Sequence, residues 1–540
     1  MTSLQSLLDG PPADRSLALR SRAETLLGAL GILGTLGGAA SRPLTGEIVA
    51  ALGAILDSGR ADLCWLAMSV MSASLAVTAE AERVGREIRS GGEPTGVLVG
   101  ALERAGSLDA SMWRGASVKT GRVLIDVDQA SRNPLGTGIQ RVVREAARRW
   151  VRHPEAILVG WTDTFDGLVG LSRDQVSLAT GIPVAAQLDG PPSAGSDGTH
   201  LEETQLGDAP SDAIIVPWRS TLIVPELAVE RSRPAALEAI ARFARCSTGV
   251  IGYDCVPLTM GETAVDGMST AYLRYLAACA HTTRIAAISD TAALEFQAWR
   301  STLASRGLRG PDIETVELAL ESPTPTPAEL AEARSLLGAG ALPVVLVVGS
   351  HEPRKNHMAV LHAAEILWRQ GERFALTFLG GNSWRSGAFF ERLEQIRGEG
   401  RTVQAVNAAP DRLVWAAYRV ATCSVFVSLH EGFGLPIVES LAAGTPVVTS
   451  NYGAMADNAR QGGCLLVDPR NPSQIAVAIR RMLTDGELAH TLRRQALALP
   501  ERSWDDYAQQ AWDFLVDAKL RPPGAPGHQA GHQAGHQARQ

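Results

Sequence analysis

A chain of 540 residues, 45% apolar and 20% charged, has room for three or four domains at about 150 residues each and is neither disordered nor fibrous in composition. A formal charge of −7 argues against a general nucleic-acid binder, because tracking phosphates needs a basic surface. The six cysteines lie far apart with no CxxC pair, which argues against structural zinc or a disulfide framework and for a reduced, cytoplasmic setting. Of the 50 positive residues only Lys119, Lys355 and Lys519 are lysine, so each lysine stands out.

In chain order, helical spacing predicts helices throughout roughly the first 115 residues, broken by GGAASRP and SGGEP. The run Leu63–Ala79 holds 17 uncharged residues. That is short of the roughly 20 a membrane span needs, so a buried helix is expected, with contact at a membrane surface as the other role open to it. No basic and apolar leader opens the chain, which predicts no secretory signal. From Arg122 the pattern changes. VLIDVD, AIIVPW, STGVIGYDCVPL and RIAAIS read as strands among helices, as in an α/β domain, with a polar Gly/Pro-rich loop at Asp189–Asp212.

After the connector SPTPTPAE, six apolar strands (PVVLVVGS, FALTFLG, TVQAVN, CSVFVSL, TPVVTS, CLLVDP) alternate with helices. Unbroken apolar runs of this kind are tolerated only in strands covered on both faces, which predicts a doubly wound parallel sheet. SWDDYAQQAWDFLVDA is an amphipathic closing helix, and three GHQA repeats form a low-complexity tail. The expected division is a helical region at 1–118 serving docking or homo-oligomerisation, α/β domains at 119–325 and 326–502, a helix at 503–520, and a disordered tail at 521–540.

Two motifs carry the chemistry. In SLHEGFGLPIVES a strand ends, Gly432 and Gly434 turn the chain, and a helix opens at Leu435 with Pro436 in its first turn. A helix start beyond the carboxyl end of a parallel strand presents N–H groups to an anion. Glu431 and Glu439 flank it as acceptors for hydroxyl donors. The combination suits a sugar nucleotide. In VVGSHEPRKNH, Gly349 lets the backbone approach a ligand closely, and Arg354 and Lys355 stand at another strand exit. Cations at a helix start oppose the macrodipole unless an anion docks beside them.

TGIQRV, YDCVPL, AISD, PRKN, the pair Glu431/Glu439 and SWDDYA together resemble the family-4 retaining glycosyltransferases of GT-B fold, over roughly Asp126–Asp505. The resemblance implies two Rossmann-like domains facing across a cleft, the first holding the acceptor and the second the donor, with the final helix crossing back to the first. Carried over by position, Arg354 and Lys355 would hold the donor diphosphate and Glu431 the sugar hydroxyls. Phe433, Gly434 and Leu435 would lie near sugar and phosphate, with Glu439 on the ribose and Ala405–Asp411 bordering the base. Thr137, Gly138 and Tyr253 would be on the acceptor side.

Family members often have a His before the Asp of the first-domain loop, where this chain has Tyr253; Asp254 either orients a substrate hydroxyl or caps the loop. Asp126 and Asp128 form a D-x-D read as coincidence rather than a metal site, and no metal or cofactor is expected. His357 and His430 neighbour the motifs, with structure and catalysis both open to them. The resemblance leans toward bacterial polysaccharide mannosyltransferases or rhamnosyltransferases, implying retaining transfer of a hexose from a nucleoside-diphosphate sugar such as GDP-mannose to a glycan or lipid-linked acceptor. The cytoplasm, extending to the inner face of the cell membrane, is the expected location. A sugar-nucleotide-binding scaffold subunit, or a GT-B enzyme that uses a sugar-phosphate acceptor or epimerises its sugar nucleotide, are the competing readings.

Overall fold

The computed structural model describes residues 3–10, 13–36, 43–106, 114–134, 138–183, 213–319, 321–407 and 409–517. Thr137, the Asp189–Asp212 segment and the GHQA tail lie outside them.

Among these residues the first sheet comprises β1 (Ala116–Lys119), β2 (Val123–Asp126), β3 (Ala156–Trp161), β4 (Leu168–Gly170), β5 (Ile214–Pro217), β6 (Thr221–Val224), β7 (Ser247–Gly252), β8 (Arg284–Ala287) and β9 (Asp312–Thr315), in the spatial order β1-β5-β4-β3-β2-β6-β7-β8-β9. Only β4 runs antiparallel to its neighbours. β1 pairs with β5 and straddles position 118, so the sheet begins ahead of the expected domain boundary. The second sheet holds the six apolar runs as β10 (Val344–Val348), β11 (Ala375–Leu379), β12 (Val403–Val406), β13 (Cys423–Phe426), β14 (Val447–Ser450) and β15 (Cys464–Val467). All are parallel, ordered β12-β11-β10-β13-β14-β15. The order reverses between β10 and β13, and a crevice opens at such a switch point.

Among the described residues six α-helices between Leu4 and Arg104 precede the first sheet. Helices 13–29 and 61–72 pack on β1, and helices 61–72 and 78–89 on helix 233–243. Leu26, Leu27, Trp65, Leu66 and Val70 join Val216, Trp218, Leu222 and Ile240 in one apolar core. Each such buried side chain contributes about 1.5–3 kcal/mol, so one face of the helical region is committed to covering the sheet. Arg22, 2% exposed, fastens the seam by donating to the carbonyls of Met71 (3.0 Å) and Arg114 (2.9 Å). The uncharged run 63–79 is buried from Cys64 to Ala73, as expected, but Val77 near its end is exposed and the run is not one helix. Helix Ala61–Ser72 stops at Ala73 in left-handed backbone (φ 48°), where the Ser69 hydroxyl accepts from the Ala76 N–H. Among the described residues no helix is long and apolar enough to cross a membrane.

Helix Trp504–Leu515 starts at a Ser503/Asp506 capping box and leaves the second domain to lie on the first. There the Trp150 indole donates to the Ala508 carbonyl at 2.9 Å, and His153 stacks on Trp512 with ring centres 3.8 Å apart.

Candidate active site

The switch point is built by two loops of the second domain. After β10, Gly349 donates its N–H to the Leu379 carbonyl (3.0 Å) and Pro353–Lys355 forms one 3₁₀ turn. Asn356 follows in left-handed backbone (φ 60°), a conformation Asn tolerates better than most residues. Its amide donates to the carbonyls of Val427 (3.1 Å) and Pro469 (2.8 Å). That clamp turns Arg354 and Lys355 toward the loop after β13. There Gly434 (φ 88°) leads into helix Leu435–Ala442, as the Gly-Leu-Pro sequence predicts.

The two motifs meet in a buried ion cluster. One Glu431 oxygen accepts from Arg354 at 2.8 Å and from Lys355 at 2.7 Å, while Arg354 also pairs with Glu352 at 2.7 Å. Lys355 sits over the Phe426 ring, 5.0 Å from its centre. Burial would raise the Glu431 carboxyl, but Arg354 and then Lys355 outweigh it and hold the group down at about 2. Burial likewise opposes the Arg354 charge, and Glu431, Glu352 and Asp254 override it, holding the guanidinium above arginine's ordinary value. The proposed sugar acceptor and diphosphate donors thus form one preorganised unit.

Glu439, a turn further along the same helix, is bound differently. Its Oε1 accepts from Arg141 of the first domain at 2.5 Å and its Oε2 from the Tyr418 hydroxyl at 3.1 Å. Burial pushes this carboxyl above its usual range, against the pull of Arg141 and Tyr418. The Arg141 guanidinium lies 5.4 Å from the centre of the Trp415 ring. Gly138 opens the Arg141 helix beside Leu435.

The first domain closes on this loop from the other side. Gly432 passes so close that a Cβ there would lie 2.1 Å from the Tyr253 carbonyl oxygen, and its own carbonyl accepts from Ser289. Phe433 is buried in the same core as Tyr253 and Val438. The Tyr253 ring is buried and its hydroxyl donates within the first domain, to the Pro225 carbonyl at 2.6 Å. What Tyr253 offers the cleft is its main chain. Asp254 accepts from the Val256 N–H at 3.1 Å, so it caps the loop. Burial pushes its carboxyl above the usual range, Arg354 opposes this, and Glu295 and Glu431 reinforce it. Capping and a place beside the reacting groups are therefore compatible.

Other marked residues are committed elsewhere. Asp126 pairs with Arg233 (2.9 Å) and accepts from the Trp161 indole (2.7 Å), while Asp128 accepts from the Trp161 N–H (2.7 Å) and pairs with Arg132 (3.0 Å). His357 is buried against Phe378, with its Nδ1 3.2 Å from that of His351. Burial, with His351 and Lys355 adding to it, pushes His357 down to about 3, so it packs as a neutral ring. Among the described residues no group of three acidic, His or Cys side chains could hold a metal ion.

Sequence reasoning missed Glu295, whose Oε1 lies 2.5 Å from Nε2 of His430 and whose Oε2 accepts from the Cys255 N–H at 2.6 Å. Nothing in its helix marks it; only the closure of one domain on the other brings it to His430. The hydrogen bond to Glu295 raises His430 above histidine's ordinary value against the opposing effect of burial. A raised histidine contributes stability that is fully present below the ordinary value, about 6.5, and lost as pH rises through the raised one. The melting-temperature gap between the parent and His430→Gln is therefore expected to narrow as pH is raised from about 6 to 9; a gap constant over that range sinks the assignment.

With this geometry in place, comparison with known proteins is informative. Residues 332–498 match the family model described as Glycosyl transferases group 1. The serotype-specific mannosyltransferase WbdA of Escherichia coli is 25% identical over 320 residues, 58% of this chain and 38% of that protein. The D-inositol 3-phosphate glycosyltransferase of Acidothermus cellulolyticus is 38% identical over 219 residues, 38% of this chain and 48% of that one. The chain thus spans less than half the length of these curated relatives. The crystal structure of HepE from Anabaena in complex with UDP and glucose superposes with a TM-score of 0.51 at 14% identity, covering 74% of this chain and all of that one, a likeness of fold. Residues 332–498 thus resemble the group 1 glycosyl transferases, and the two facing α/β domains have the GT-B fold.

Proposed function

We propose that the protein transfers a hexose, with retention of configuration, from a nucleoside-diphosphate sugar to a glycan or lipid-linked acceptor in polysaccharide synthesis, with GDP-mannose as the donor. The observation that carries this reading is the convergence of Arg354 and Lys355 on Glu431 at the start of the helix that also bears Glu439. Two cations, a helix start and two carboxylates then line one crevice, which suits a diphosphate placed between a sugar and a ribose. The mannosyltransferase relatives support mannose as the sugar.

In the transfer, the bond from the anomeric carbon to the phosphate oxygen breaks and its electron pair leaves with the diphosphate. Arg354 and Lys355 stabilise the charge that develops there. The acceptor oxygen bonds to the anomeric carbon on the face just vacated and gives its proton to the departing phosphate oxygen. Asp254, close enough to feel the Arg354 charge, orients that acceptor hydroxyl.

A panel of nucleotide sugars tests the reading by thermal shift, because a ligand at 100 times its Kd adds about 2.7 kcal/mol to the stability of the native state. GDP-mannose is expected to give the largest shift, and Glu439→Gln to lose most of it. A panel without any shift overturns the reading; a larger shift with another nucleotide sugar overturns only the choice of donor.

A further inference from the structure

The contact between Arg141 and Glu439 joins the two domains across the cleft, and its partners are 27% and 12% exposed. It fills the crevice where the proposal above places the nucleotide. The cavity bounded by Arg141, Trp415, Leu435, Val438, Glu439 and Trp504 holds only about 10 Å³, room for about one water and far less than the roughly 300–1,000 Å³ of ordinary small-molecule sites. Both Glu439 oxygens already have a donor, the Arg141 guanidinium and the Tyr418 hydroxyl. Other side chains also cross the cleft: Ser289 to the Gly432 carbonyl, Thr291 to Asp457 (2.7 Å), Glu295 to His430, and Arg385 to Asp266 (2.9 Å). Among these described contacts, only that of Arg141 takes the carboxylate of a residue assigned here to the donor.

We propose that Arg141 is a positioning residue that latches the cleft: it holds Glu439 in place of the nucleotide's hydroxyls, and the donor enters by exchanging those hydroxyls for the guanidinium. This rests on the reading of Glu439 as the nucleotide's hydroxyl acceptor. The exchange is physically balanced. A vicinal diol offers two O–H donors to a carboxylate that accepts from one guanidinium and one phenol. A released guanidinium next to Trp415 keeps an aromatic face to rest on. Because the latch and the nucleotide compete for one group, the apparent Kd of the nucleotide is the intrinsic one divided by the fraction of molecules unlatched.

The test compares the full-length protein with Arg141→Met and Arg141→Lys, using GDP and UDP as probes in titration calorimetry and small-angle scattering without nucleotide. Arg141→Met, which keeps volume and removes charge, is expected to bind the better of the two nucleotides about 3- to 10-fold more tightly and to have a larger radius of gyration. Arg141→Lys should lie nearer the parent in both. Mere damage to packing would weaken binding and would not be rescued by lysine. Weaker binding by Arg141→Met overturns the latch and makes Arg141 a nucleotide contact; unchanged binding and size also overturn it. If neither nucleotide binds any of the three proteins, the donor-site reading fails. Scattering then decides the latch by itself: expansion of Arg141→Met upholds it and an unchanged size removes it.

Discussion

Arg354→Ala is expected to lower transfer at least about 100-fold, the usual cost of removing one donor aimed at developing charge. The same substitution leaves Glu431, buried and 9% exposed at its side chain, with Lys355 alone. Breaking one partner out of a buried pair costs up to about 3 kcal/mol when a second partner remains. A double variant separates the two effects: Arg354→Ala with Glu431→Gln removes the Glu431 charge and leaves only Glu352 without its arginine, so it should regain part of the stability and none of the rate. The acid limb supplies an independent sign. Glu431 is held at about 2, below a carboxylate's ordinary value, so its contribution is present above that ordinary value and lost as pH falls through about 2. Without Arg354, its larger stabiliser, the loss should begin at higher pH. Transfer assays and acid unfolding curves check both parts. Undiminished transfer by a folded Arg354→Ala protein would remove the diphosphate role.

Arg233→Met should cost about 3–5 kcal/mol, the range for stripping the partner from a buried charge. Arg233 is fully buried, 2.9 Å from Asp126 and 3.1 Å from both Glu226 and Glu230, and the first two carboxylates are only 1% exposed. Glu226 in turn accepts from the N–H groups of Gln129 (2.9 Å) and Ala130 (2.7 Å), so the short helix Asp128–Arg132 hangs on this cluster. Burial pushes Glu226 up to about 7, against the pull of Arg233. A carboxyl raised in the folded state contributes stability that is present below its ordinary value and lost as pH rises through the folded one. Removing Arg233 raises it further, so the variant should be most stable in mild acid and lose stability steadily toward neutral pH. Adding Asp126→Asn and Glu226→Gln should restore much of the loss, because the two fully buried carboxylates are then neutral and only Glu230, 23% exposed, keeps its charge. Thermal unfolding across pH checks this; a single variant with the melting temperature of the parent would show that the cluster is not the anchor described.

The second domain was legible because its physics is local. Strands covered on both faces read as short unbroken apolar runs, and all six expected in the second domain form its sheet. PRKN and the Glu431/Glu439 pair were legible for the same reason: each lies within a dozen residues, where a strand end, a turn and a helix start follow from Gly, Asn and Pro. The first domain was less so. β4 is three residues long and β9 has one apolar residue in four, and the helical region is covered by a sheet whose strands come later in the chain.

By itself the sequence determined which residue types stand at each strand end and that the second domain is doubly wound, and its net charge of −7 argued against a polyanion binder. The tertiary structure alone decided what those residues touch. Arg141 and Glu439 are 298 positions apart, Glu295 and His430 are 135 apart, and the Tyr253 hydroxyl turns inward to Pro225 rather than out to the cleft. Periodicity and turn chemistry act over a few residues, whereas the pairing of buried charges depends on how two sheets close on each other. Spacing along the chain carries no record of that closure.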